Sequence, residues 1–218
     1  MKRYRIILLL ERGKMPSKKL NVVFAAMILV LTFSLGCGSG GGGNGGGTGE
    51  KKIPDLKYKL HPVSLGNENT IYQVMQENNA KALILDFWAV WCEPCKEELP
   101  YLELIHREYK NKGVVVLAAT IDPFEDESAI DETLDGTNDS KIKKSWKKLG
   151  EFELIDGRVI TMEIPVDGDR KIANALGVTS IPRTFLVDKD HNIIYQHTGF
   201  DEGKVEELKK KLDELLSK

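Results

Sequence analysis

Asp86-Phe87-Trp88-Ala89-Val90-Trp91-Cys92-Glu93-Pro94-Cys95-Lys96 decides the fold of this 218-residue chain. Just upstream, Ala82–Trp88 (ALILDFW) is a short apolar run broken only by Asp86, which reads as a buried strand. Downstream, Leu99, Leu102, Ile105 and Tyr109 recur at helical spacing and predict a helix over residues 95–110. Pro100 lies inside it and should kink it, because proline cannot donate to the helical ladder. The two cysteines therefore fall where a strand hands over to a helix. A helix N-terminus presents free N–H groups and the positive end of the helix dipole. That environment favours thiolate, the form of sulfur that attacks disulfides. Cys92 should sit at the exposed end, with Cys95 one turn in and close enough to bond to it. Pro94 suits the first helical turn, where its missing N–H has no partner to lose.

Other uses of a cysteine pair fit less well. A structural zinc needs four ligands, and His61, His106, His191 and His197 are scattered without ligand spacing. Covalent c-type haem attachment requires Cys-x-x-Cys-His, and Lys96 stands where that histidine belongs. A purely structural disulfide usually closes a longer loop, because a short closure restricts the unfolded chain less. A peroxiredoxin would carry Pro-x-x-x-Thr-x-x-Cys, but Leu85 and Ala89 occupy those two positions. A metal or haem carrier using the two thiols, with His191 or His197 as a further copper ligand, stays open as a non-enzymatic alternative. No metal, nucleotide or flavin motif is visible, so no cofactor is expected.

Outward from the motif, strands and helices alternate. Residues 114–119 (VVVLAA) read as a second buried strand, and 162–166 as a strand end. Ile142, Trp146 and Leu149 line one face of a helix over residues 140–149. Residues 170–176 read as a short helix ended by Gly177. Residues 184–187 and 192–197 read as two strands joined by a polar turn at 188–191. Val205, Leu208, Leu212 and Leu215 form the stripe of a last helix, supported by i,i+4 pairs Glu206–Lys210 and Glu207–Lys211. This order predicts an α/β domain with a mixed central sheet flanked by helices. Residues 122–161 form a long insert, with a hairpin turn expected at Asp156-Gly157.

The N-terminus has a different character. Residues 22–31 (VVFAAMILVL) are an unbroken apolar run behind Lys18 and Lys19, with Ser34, Gly36 and Cys37 after it. Basic head, short apolar core and small-residue exit are the layout of an export signal over residues 1–36. The run falls short of the roughly 18–20 residues of a spanning helix, while its extension over residues 20–36 reaches 17 and leaves an uncleaved anchor as the alternative. Met15-Pro-Ser-Lys-Lys reads as an alternative start. Residues 38–49 contain nine glycines in twelve, so 37–50 form a flexible tether, and the folded domain spans 51–218. The first 36 residues hold seven basic side chains and one acid, leaving 24 basic and 32 acidic residues beyond, a net of −8. Such an acidic domain gives no basic footprint for nucleic acid. Three cysteines leave one outside the Cys92–Cys95 pair, and that one is Cys37.

Two resemblances follow from these residues. Ser34-Leu35-Gly36-Cys37 resembles a bacterial lipobox, with Ser34 where leucine is usual; it implies a lipid on Cys37 and a protein anchored to the extracytoplasmic or periplasmic face of a bacterial membrane. The segment 86–96 resembles the thioredoxin active site, with Glu93 in place of glycine and Pro100 matching its helix-kinking proline. Ser180-Ile181-Pro182-Arg183-Thr184-Phe185 resembles the cis-proline loop of that fold. The Cys-Glu-Pro-Cys form and the insert before this proline are most similar to TlpA/ResA-type membrane-anchored oxidoreductases.

The resemblance implies a thioredoxin fold and a set of roles. Cys92 would be the nucleophile and Cys95 the resolving thiol, forming a redox disulfide. Asp86 would be the buried carboxyl near the second sulfur, and Glu98 a glutamate close to the motif. Pro182 would be cis, with Ile181 offering backbone hydrogen bonds to an extended substrate. Trp91 would cover the site, and Trp91, Glu93 and Pro94 would meet the substrate. Protein disulfides would be reduced, with cytochrome c precursors as the family's best-known clients and a membrane protein returning electrons. A disulfide oxidase or isomerase is the alternative direction of the same chemistry.

Overall fold

The computed structural model describes residues 51–62, 65–135, 139–150 and 159–218. The export signal, the Met15 start, Cys37, the glycine tether and the Asp156-Gly157 turn lie outside the described residues. Everything below belongs to one compact unit, Gly47–Lys218.

Strands β1 (Lys57–Leu60) and β2 (Glu68–Thr70) pair antiparallel. Thr70 then starts α1 (Ile71–Glu77) with a capping box: its hydroxyl accepts the Gln73 N–H while the Gln73 side chain accepts the Thr70 N–H. Strand β3 (Ala82–Trp88) is buried at every position, as a strand covered on both faces must be. It leads into α2 (Glu93–Tyr109), then β4 (Val114–Thr120), α3 (Glu127–Asp135) and α4 (Ser140–Leu149). The chain closes with β5 (Pro165–Val166), α5 (Lys171–Leu176), β6 (Arg183–Asp188), β7 (Ile193–Thr198) and α6 (Glu202–Leu216).

These strands form one mixed sheet in the order β2-β1-β5-β4-β3-β6-β7. The central strand β3 runs parallel to β4 and antiparallel to β6, with Asp86 facing Ala118 on one side and Thr184 on the other. This is the mixed sheet and flanking helices that the alternation of elements predicted.

Helix α2 packs its buried face, including Leu99, Leu102 and Ile105, into the core, and Pro100 lies buried within it. Helix α6 buries Val205, Leu208 and Leu212, and Tyr109 ties the two helices by donating its hydroxyl to Asp213 at 2.8 Å. The 122–161 insert has a definite use: α4 packs on α2. Its Ser145 hydroxyl donates to the Glu97 carbonyl at 3.0 Å, and Lys141 meets the Glu97 carboxylate at 3.1 Å. Asp139 caps α4 by accepting the Lys141 and Ile142 N–H groups. The chain leaving the insert is held by Glu103, fully buried on α2, which accepts the N–H groups of Thr161 at 2.7 Å and Met162 at 3.0 Å.

Two expectations need adjustment. The strand expected over 162–166 pairs continuously only at Pro165–Val166, because Glu163 makes a single isolated bridge to Leu117. The helix expected over 95–110 begins two residues earlier, at Glu93, so that Cys92 itself is the cap.

Candidate active site

Strand β3 ends at Trp88, and three residues later the chain turns into α2. The turn is pinned twice. The Cys92 N–H donates to the Ala89 carbonyl at 3.0 Å, and the Val90 N–H donates to Asp122 Oδ2 at 2.8 Å. The Thr120 hydroxyl, at the end of β4, donates to the same Asp122 oxygen. Asp122 is 1% exposed. Sequence reasoning placed it merely at the start of the insert; here it holds the loop that carries Trp91 and Cys92.

Cys92 is the N-cap of α2, and its Sγ accepts the Cys95 N–H at 3.3 Å. The two sulfurs are joined in a disulfide, with the Cα atoms 5.3 Å apart. Cys92, expected at the exposed end, is nearly buried at 5% exposure, and Cys95 is fully buried at 0%, so Cys92 is the more accessible of the two. Glu93 and Pro94 are exposed on the first turn. The Glu93 charge, which opposes a thiolate at Cys92, is offset by Lys96, whose ammonium lies 3.4 Å from Glu93 and 3.1 Å from Asp139. Trp91, expected to cover the site, is 64% exposed; its ring is an apolar surface open to a partner.

The Ile181–Pro182 peptide bond is cis. Pro182 is buried and Ile181 half-buried, and the Pro182 carbonyl accepts the Gly199 N–H at 2.8 Å, which fixes the loop against the end of β7.

Behind the cysteines lies a polar cluster inside the core. Asp86 and Glu98 are both 0% exposed. Thr184 of β6 places its hydroxyl 2.9 Å from Asp86 Oδ1 and 3.2 Å from Glu98 Oε1, and His197 Nε2 of β7 lies 3.1 Å from that Glu98 oxygen. Burial pushes the Asp86 carboxyl well above the usual carboxylate range; the nearby Glu98 carboxyl adds to this, and the hydrogen bond from the Phe87 backbone opposes it. Asp86 and Glu98 were in the sequence-derived set. Thr184 was noted only in the proline loop and its strand, and His197 only at a strand end and as a conceivable copper ligand, neither as a partner of Glu98.

Both histidines weighed as copper ligands have a contact of their own. His197 is engaged by Glu98, and the His191 ring stacks on Tyr72 with centroids 3.6 Å apart. Among the described residues, no three His, Cys, Asp or Glu side chains are grouped to hold a metal ion.

Comparison with known proteins agrees with this arrangement. The model of the Redoxin family matches residues 48–212. The chain is similar to the thiol-disulfide oxidoreductase ResA of Bacillus thuringiensis (strain Al Hakam), 28% identical over 144 residues, covering 66% of each chain. It is 25% identical to ResA of Bacillus subtilis (strain 168) over 125 residues, covering 57% of each. The matched stretch thus spans just under two thirds of the length of the first of these relatives. Among solved structures, a DsbE-type thiol:disulfide interchange protein from Chlorobium tepidum superposes with a TM-score of 0.53 at 22% identity, covering 77% of this chain and 96% of that one. A thioredoxin-like protein from Porphyromonas gingivalis gives a TM-score of 0.53 at 26% identity, covering 76% and 92%. By the family match over most of its length, the chain belongs to the Redoxin family and has the thioredoxin fold.

Proposed function

We propose that the chain is a thiol–disulfide oxidoreductase that reduces protein disulfides through Cys92 and Cys95. The observation that carries this reading is the sulfur pair itself, joined at a helix N-terminus with Cys92 the more accessible residue and Cys95 fully buried. Similarity to proteins named thiol-disulfide oxidoreductase supports it.

The reaction starts from the dithiol form. The Cys92 thiolate attacks one sulfur of a substrate disulfide; that S–S bond breaks, a Cys92–substrate bond forms, and the departing sulfur takes a proton. Cys95 then loses its proton and attacks Cys92 Sγ. The Cys92–Cys95 bond forms, and the second substrate sulfur leaves and is protonated. Two electrons pass to the substrate, and a protein thiol donor must return them. The Cys95 N–H directed at Cys92 Sγ stabilises charge on the attacking sulfur. Asp86, kept neutral by burial, is suited to exchange the Cys95 proton, with Glu98 beside it. Trp91, Glu93 and Pro94 form the exposed rim, and Ile181, before the cis Pro182, receives an extended substrate by strand addition.

Export, a lipid on Cys37, the glycine tether, a membrane-protein electron donor and cytochrome c precursors as clients belong to the same proposal. They rest on the N-terminal sequence and on the resemblance. Insulin-disulfide reduction tests the chemistry. Cys92→Ser should abolish it, and Cys95→Ala should accumulate mixed disulfides whose captured partner names the client. Full activity in Cys92→Ser would refute the proposal. The direction is set by reduction potential: a reductase should lie near the thioredoxin value of about −270 mV, and an oxidant near about −120 mV.

A further inference from the structure

The buried cluster behind the cysteines contains more acceptors than donors. Thr184 Oγ1 touches Asp86 Oδ1 and Glu98 Oε1, yet a hydroxyl has one hydrogen to give. With both acids ionised, one of these contacts would set two acceptors against each other in a dry interior. Asp86, Glu98 and Thr184 are 0% exposed and His197 is 7% exposed, so water does not relieve the clash. One proton on the carboxyl pair removes it.

The neighbours say where that proton sits. His197 Nε2 faces Glu98 and not Asp86. His197 Nδ1 is buried without a protein partner. With no acceptor at Nδ1 and a carboxyl oxygen 3.1 Å from Nε2, the ring directs its Nε2 hydrogen at Glu98. This tautomer is assigned from the network. Glu98 then receives two donors, Thr184 and His197. Asp86 holds the proton and donates it to Thr184 Oγ1. Each close contact becomes a hydrogen bond, with donation running from Asp86 through Thr184 to Glu98.

We propose that His197 is a positioning residue for the redox reaction: it donates to Glu98 and so, through Thr184, keeps the proton on Asp86. No bond other than O–H and N–H is involved. The inference deepens the oxidoreductase reading and rests on it, since it supplies the proton that the inner sulfur exchanges. The groups at the cluster and on its elements are Asp86 from β3, Glu98 from α2 with Cys95 one turn before it, Thr184 and Arg183 from β6, and Tyr195 beside His197 on β7. Arg183 is taken up by Thr198 and Gln196, on the exposed side of the strands. Tyr195 is pushed up to about 12 by burial and by Glu207, whose carboxylate its hydroxyl meets at 3.2 Å, so it stays neutral.

Carboxyl 13C NMR titration of the full, oxidised chain, labelled at Asp and Glu, reads the cluster without turnover. In the wild type Asp86 should titrate well above the usual carboxylate range. His197→Leu removes the donor to Glu98 and should move the Asp86 titration down by about one pH unit, a tenfold fall in proton affinity. His197→Gln keeps an N–H donor and should return the curve to its wild-type position. Thr184→Val should likewise lower Asp86, and Thr184→Ser should restore it; this pair decides the matter if His197→Leu does not fold. An Asp86 titration unmoved by His197→Leu and Thr184→Val would overturn the inference. Because the titration needs no substrate, a wild-type chain without reductase activity would count against the proposed function alone.

Discussion

Replacing Asp122 should loosen the redox loop and destabilise the domain together. One buried oxygen, Asp122 Oδ2, accepts both the Val90 N–H and the Thr120 hydroxyl. Asp122→Ala removes that acceptor and strands the Val90 N–H in a partly buried turn. An orphaned buried donor costs about 1–3 kcal/mol, and a hydrogen bond to a charged group contributes about 1.5–3 kcal/mol. The two bonds share one oxygen and are not additive, so the expected loss is about 3–4 kcal/mol. With a urea slope of about 2 kcal/mol per molar, the unfolding midpoint should fall by about 1.5–2 M. Asp122→Asn keeps one acceptor but buries an amide in place of Oδ1, and should fall about half as far. Thr120→Val in the Ala background should cost little more, since its partner is already gone. Insulin reduction, measured where each variant is fully folded, should drop in the same order because Val90 and Trp91 no longer hold Cys92 at the cap. A midpoint for Asp122→Ala within about 0.3 M of wild type would refute the pinning role.

Two more outcomes are expected. Asp86 has its pKa raised in the folded state, so from the unfolded value of about 3.9 upward the native state binds more protons than the unfolded one, and its contribution to stability falls as pH rises toward the folded pKa. Asp86→Asn removes that loss: it should gain on wild type in urea unfolding as pH rises from about 4, and a constant difference over that rise would contradict the buried neutral acid. Trp91 is 64% exposed, so Trp91→Ala should change stability by no more than about 0.5 kcal/mol while raising KM for a protein disulfide and sparing a small one; equal effects on both substrates would remove it from the docking surface.

The redox pair was legible because its meaning is local: strand, Cys-x-x-Cys and helix follow one another within a few residues. The central strands and α6 were legible for the same reason, each carrying its own apolar period. What escaped depends on partners distant in the chain. Thr184 and His197 stand 86 and 99 residues from Glu98. A signal for His197 does exist. Along β7 the more buried positions are Ile193, Tyr195 and His197, alternating with exposed Ile194, Gln196 and Thr198. A histidine at the inward place of such an alternation asks for a buried partner. Strands β1 and β2 escaped because Lys57-Tyr58-Lys59-Leu60 and Glu68-Asn69-Thr70 are short and polar; they are held by the sheet beside them. In the insert, the Ile142 and Trp146 stripe foretold α4, while α3 buries only Ile130, Thr133 and Leu134 in an acidic nonapeptide and left too faint a pattern.

The central claim is an asymmetry between two sulfurs, one at the mouth of α2 and one sealed behind it. Limited alkylation of the freshly reduced chain, mapped by peptide mass, measures this directly. The label should fall on Cys92 while Cys95 stays protected until the protein is unfolded. Equal labelling of the two, or labelling of Cys95 first, would contradict the account.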